Sequence, residues 1–252
     1  LSGGSFHDIR DAGNFSKPTF YCLLWLGLIS LIKCPQLQIA LPEIEDELDE
    51  LRGGFAAKST EGVMSGCVGA LDGFLLLIRT PTRKEAANSR LFFSGHYSRM
   101  GLNVQAMCDV NLRFIYMAIL APGKSSDVQA YRKSKLEAWI EQLPPWYFVT
   151  GDNNYVCTEH LLTPFCGSSR FNPEFDAYNF YLSQLRIRIE MAFGLLVTKW
   201  RILMAALEVS LKNASKVFNA CCILHNWCVT ERILNENDTG IIKKVYQMER
   251  VC

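Results

Sequence analysis

Several things are missing from this chain of 252 residues. It has almost no net charge: 26 Lys and Arg stand against 25 Asp and Glu, leaving +1 at neutral pH. No global field draws it to nucleic acid, so any such surface has to come from local clusters. It has ten cysteines but no Cys-x-x-Cys pair, and its four histidines do not fall at finger spacing. That argues against a structural zinc; scattered cysteines in apolar runs act as small hydrophobes and point to a reducing compartment. The longest apolar run, Phe20 to Ile32, is too short to span a bilayer, so no membrane partner is expected. No signal-peptide pattern opens the chain, and its start on Leu1 suggests a fragment or a processed chain. A phosphate loop is missing too. Gly123-Lys124-Ser125 would need a glycine at residue 118, which is Ala.

What is present is ordinary globular material, 49% hydrophobic and 20% charged, enough for a full core and one or two domains. Residues 3–33 read as a helix from Ser5 to Ala12, a turn at Gly13-Asn14, and a second helix with Ser16 as N-cap and Pro18 in its first turn. That is the outline of a helix-turn-helix, although its second helix is too apolar for a simple groove reader. An acidic run from Glu43 to Glu50 follows, read as a solvated helix face or linker. From residue 65 the pattern changes to strands at 67–78, 102–110, 113–120 and 146–152, with Asp109 to Leu112 as a hairpin connection. Helices are expected over Asp127–Gln142, Leu182–Trp200 and Ala214–Glu231. The sum is an α/β fold, a mixed sheet flanked by helices, with residues 1–58 as an N-terminal helical module and acidic linker and residues 59–252 as the main domain.

Four acids stand out by position. Asp72 lies inside the apolar strand "GALDGFL", where an unpaired carboxylate is expensive and needs a cation or strong donors; a turn at Asp72-Gly73 is the alternative. Asp152 ends the run "YFVTGD" at a strand tip, where a turn or helix cap would also explain it. Asp127 follows "APGKSS" at a helix start and could be no more than part of a cap. Glu190 falls beside the apolar stripe Leu185, Ile189, Ala192, Phe193, Leu196 and Trp200, with Arg186 one turn before it and Gly194 one turn after. An Arg186–Glu190 helix pair is the alternative there.

The ordered blocks "GCVGALDG", "GHYSRMGLNVQAMCDVNLRF", "APGKSSDVQAY", "GDNNY", "LLTPF", "AYNFYLSQLRIRIEMAFGLLVTKWRIL" and "CCILHNW", over about residues 65–230, resemble the DDE domain of Harbinger-type (PIF/Harbinger) transposases. The resemblance implies an RNase H-like nuclease domain that moves DNA by cut-and-paste in the nucleus. Its catalytic acids then fall on Asp72, Asp152 and Glu190, with Asp127 as a further metal-site acid. It also implies a homo-oligomer on DNA and a Myb-like accessory protein. Met191 stands where the family commonly has Arg, and Phe74 where a small or polar residue is frequent; neither removes a ligand. A domesticated derivative that binds DNA or a partner without cleaving is the alternative.

Cleavage of a phosphodiester needs water made nucleophilic and charge carried on the leaving oxygen, which two hard cations, Mg²⁺ or Mn²⁺, supply among carboxylates. Phosphate contacts need local cations. Arg79, Arg83, Lys84, Arg90 and Arg99 follow the first acid strand, and Arg186 and Arg188 lie on the helix that carries Glu190. His96 and Tyr97 sit in the first of these segments, whereas His225 is expected to be a satisfied helix residue.

Overall fold

A computed structural model describes residues 6–167 and 172–231. Its centre is a six-stranded sheet of β1 (Cys67–Leu77), β2 (Phe93–Ser94), β3 (Arg99–Cys108), β4 (Phe114–Pro122), β5 (Phe148–Thr150) and β6 (Leu161–Leu162). β3 pairs antiparallel with β1, β2 and β4, while β5 runs parallel to β1 and β6 parallel to β5. The sheet is therefore mixed, with β1 in its middle. The turn between β3 and β4 has the expected place. Asp109, fully buried, accepts from the backbone N–H of Asn111 and Arg113 at 2.8 Å each and pairs with the Arg113 guanidinium at 2.7 Å.

Side-chain alternation, reset by an irregularity between Cys67 and Gly69, sends β1 residues to two different cores. Ala70 and Leu76 face a core built with the helices α6 (Pro173–Lys199) and α7 (Leu211–Thr230), in which Phe74 stacks on Phe193 and Phe218 at 5.0 and 5.7 Å between centroids. Val68 and Leu71 face the opposite core with Leu136, Ile140 and Tyr155. The stripe Leu185, Ile189, Ala192, Phe193 and Leu196 is buried as its spacing predicts, which seats α6 on the sheet. Phe74 and Met191, the departures from the family pattern, both pack against this core.

Differences from the sequence reading have local causes. α6 starts at Pro173, nine residues early, because Asn172 caps it by accepting from the Glu174 N–H and Pro fits the first turn. The single helix expected over Asp127–Gln142 is two, α4 (Asp127–Tyr131) and α5 (Lys135–Glu141), because Ser134 turns and caps the second. At the N-terminus, α1 (Phe6–Ala12) and α2 (Lys17–Lys33) form where expected, with Ser16 accepting from the Thr19 N–H. Leu28 of α2 is buried in the same core as β1 and α7. The acidic run is α3 (Glu45–Ala56), whose Leu48 and Phe55 point inward while most of its acids stay exposed. Phe55 is fully buried in that same core, so residues before and after 58 share it. Among the described residues all nine cysteines are free thiols, five of them buried, and no helix is long and apolar enough to cross a membrane.

Candidate active site

Parallel pairing explains how two distant acids meet. Ala70 is the register partner of Thr150, and both strands run the same way. Two residues further on, β1 presents Asp72 and the chain leaving β5 presents Asp152. Their side chains feel one another: burial first, and then the Asp152 charge, push Asp72 up to about 7. Burial also raises Asp152, to which Asp127 and Glu190 add. Opposing these, the Gly73 N–H donates to Asp72 at 2.7 Å, and Asn154 donates to Asp152 from its backbone N–H at 2.9 Å and from its side chain at 2.8 Å.

Asp127 arrives from the opposite side of the sheet. Ser126 caps α4, and the Asp127 carboxylate lies against the bare Cα of Gly73. Its Oδ1 accepts from the Asn103 amide at 2.9 Å and the Gln105 amide at 3.3 Å. Gln105, fully buried, also donates to Asn103 Oδ1 at 2.9 Å and accepts from the Tyr155 hydroxyl at 2.7 Å. These three side chains orient Asp127, and a search for acids alone passes over them. A signal is present in the sequence: "LNVQAM" puts two amides at i and i+2 on an otherwise apolar strand, and buried polar groups of that kind need partners.

Glu190, on α6, lines a groove together with Asp72. This groove, of about 690 Å³, is lined by Asp72 and Gly73 on one side and by Glu190, Phe193 and Gly194 on the other, with Tyr97 and Arg99 at hand. Glu190 accepts from Arg186 in an ion pair. Among the described residues, no three acid, histidine or cysteine side chains stand in a group that holds an ion as they are. The donors nevertheless suit a hard cation: they are carboxylate oxygens, and like charge adds to burial in raising Asp72 and Asp152.

The cations picked from the sequence separate. Arg99 lines the groove, and Arg83, Lys84 and Arg90 lie on the segment leading to it. Arg79 is committed elsewhere: it pairs with Glu85 at 2.7 Å. Glu85 also accepts from Thr82 and from the Leu211 N–H, and these bonds hold its carboxyl down at about 2. Arg188 buries its Nε without a partner and lies near the Cys108 thiol, whereas Arg186 turns to Glu190. His96 and Tyr97 are exposed and meet edge to face at 4.7 Å. His225 is buried and donates to the Leu112 carbonyl at 2.8 Å, while Asn226 bonds both the N–H and the carbonyl of Phe114. That helix segment therefore clamps the start of β4.

A profile of the DDE superfamily endonuclease family matches residues 71–226, a span that contains Asp72, Asp127, Asp152 and Glu190. The protein named "Putative nuclease HARBI1" in Rattus norvegicus is 26% identical over 202 residues, 77% of this chain and 52% of that protein. Those of Homo sapiens and Mus musculus are 25% and 26% identical over the same shares. The chain spans about half the length of these curated relatives. No solved structure matches it.

Proposed function

The chain belongs to the DDE superfamily of endonucleases, and from that premise we propose that it cleaves DNA with divalent cations, by transposase-type chemistry, on an RNase H-like domain. One observation supports the reading above all: the parallel register of β1 and β5 brings Asp72 within electrostatic reach of Asp152, and Asp72 lines a groove together with Glu190 of α6. The fold reading is supported by three antiparallel strands, β4, β3 and β1, followed by β5 and β6 parallel to β1.

Asp72, Asp127, Asp152 and Glu190 are the residues that hold the cations in this reading. When bound, a pair of Mg²⁺ or Mn²⁺ ions supplies a nucleophile from water at neutral pH and carries charge on the leaving oxygen. The protein's own part is placement. The amides of Asn103 and Gln105 fix one oxygen of Asp127 and leave the other open. Arg99 and Tyr97 offer a cation and a hydroxyl to phosphate, and the apolar wall of Phe193 and Val197 suits sugar and base. Nuclear DNA and action as a homo-oligomer belong to the same proposal, supported by the family resemblance alone.

The test is nicking of supercoiled plasmid. Wild type is expected to nick in Mg²⁺ or Mn²⁺ and not in EDTA, and Asp152→Asn is expected to lose at least about a hundredfold of the rate. Equal nicking by the variant would remove Asp152 from the chemistry. Wild-type binding to uncut duplex without nicking in either metal would favour a non-catalytic DNA-binding derivative, a reading that the Arg186–Glu190 pair also suits.

Binding is expected to depend on the basic segment after β1. Replacing Arg83, Lys84 and Arg90 together by Ala should weaken duplex binding and flatten its salt dependence, by roughly one counterion for each phosphate that the variant no longer neutralises. Binding that is unchanged across a salt series would make these three ordinary surface.

A further inference from the structure

Arg186 stands one helical turn before Glu190, and its Nη1 donates to Glu190 Oε1 while both side chains remain 29% and 26% exposed. Such a pair at a helix surface adds only about 0.2–0.5 kcal/mol, and Arg before Glu is the weaker order. Its surroundings give it a different weight. The guanidinium is close enough to Asp72 and Asp152 to draw both carboxyls down against their burial. One permanent charge therefore pairs with Glu190 and also acts on Asp72 and Asp152.

We propose that Arg186 is the resident counter-ion of this acid centre, holding Glu190 away from it until a divalent cation takes the place of the guanidinium. The inference rests on the endonuclease reading above. A guanidinium does not lose its proton, so its charge leaves the site only by movement. A divalent ion that arrives between Asp72 and Asp152 meets that charge as a repulsion. Glu190 turns to the ion only by giving up Arg186, and Gly194, one turn further along α6, lines the groove without a side chain to block the turn. The released fork then matches a phosphate oxygen pair. Metal and Arg186 compete for the same carboxylate, and the exchange couples loading of the site to release of a phosphate-binding group.

The test measures metal, not turnover. The whole chain is titrated with Mn²⁺, and free ion is read by its electron paramagnetic resonance signal, for wild type, Arg186→Gln, Arg186→Lys and Asp152→Asn. Arg186→Gln is expected to bind Mn²⁺ roughly tenfold tighter than wild type, because a like charge has left the site. It is also expected to melt earlier than wild type without metal. Arg186→Lys keeps the charge and should stay within about threefold of wild type. If wild type binds, Asp152→Asn does not, and Arg186→Gln binds no tighter than wild type, Arg186 is only a helix pair and this inference fails while the endonuclease reading stands. Tightening in Arg186→Lys equal to that in Arg186→Gln also overturns it, since charge would not be the cause. If wild type binds no better than Asp152→Asn, the acid centre itself is refuted, and the inference falls with it.

Discussion

Gly73→Ala is expected to abolish plasmid nicking while leaving the chain folded. A methyl at this position would lie 2.6 Å from the Asp127 carboxyl carbon, and closer still to Oδ1. Something has to move, and the neighbours decide what does. Asp127 is held from behind by Asn103 and Gln105, and Gln105 is held in turn by the Tyr155 hydroxyl. Retreat of the carboxylate breaks both amide bonds in a buried setting, at about 1–3 kcal/mol for each polar group left without a partner. Forward movement carries it toward Asp72 and Asp152, where burial and then like charge already raise both. Either way it leaves its place, and displacement by about 1 Å is enough to cost roughly a hundredfold in rate. The backbone is not the obstacle: Gly73 has no positive φ, and Ala is a normal strand residue. A cooperative thermal melt lowered by roughly 5–15 °C, together with nicking reduced by about a hundredfold or more, is the expected pair of results. Nicking within tenfold of wild type would show that the chemistry does not need Asp127 where it lies.

The route to that centre shows what is readable in a sequence. Asp72 is conspicuous because a carboxylate inside an apolar strand needs a reason, and the stripe on α6 fixes which side of that helix carries Glu190. Bringing Asp72 next to Asp152 depends on β1 pairing with β5 across about eighty residues, and strand order is decided by tertiary packing that periodicity does not encode. The family resemblance fills that gap for the acids. It does not single out Asn103 and Gln105, whose role appears only once α4 is seen against β3. Arg79 and Arg188 illustrate the reverse case: a run of cations marks a basic surface only where partners such as Glu85 do not claim it. Hydrophobic spacing also runs the helix from Asp127 straight through Ser134, where side-chain capping ends one turn and starts the next. Two of the acids, Asp72 and Glu190, line one groove, while Asp152 is held by Asn154, Glu190 by Arg186, and Asp127 by the amides of β3.

Unfinished neutralisation of the acids should be visible as a pH-dependent stability that a divalent cation removes. Asp72 titrates near 7 in the folded chain and near 3.9 unfolded, so over that interval the native state binds more protons. Stability from this group is therefore fully present below about pH 4 and is lost as pH rises through 7. A pKa that differs by one between the folded and unfolded chain corresponds to about 1.4 kcal/mol, so the ceiling is a few kcal/mol, lowered by the partial exposure of the carboxylate. His225 acts in the opposite sense. Burial holds it down at about 4, so it destabilises the fold as pH falls from about 6.5, and wild type alone gives a mixed profile. The comparison that isolates Asp72 is with Asp72→Asn in EDTA. Asn copies the protonated acid and keeps an oxygen for the Gly73 N–H. The two proteins should melt together near pH 5 and separate by several degrees near pH 8, with the variant the more stable. Saturating Mg²⁺ should close that gap at pH 8 by stabilising wild type through its preference for the native state, and should do little at pH 5, where Asp72 is protonated. A gap of the same size at both pH values would mean that the raised pKa of Asp72 is not coupled to folding. A gap at pH 8 that Mg²⁺ leaves open would mean that the crowded carboxylates are not a cation site.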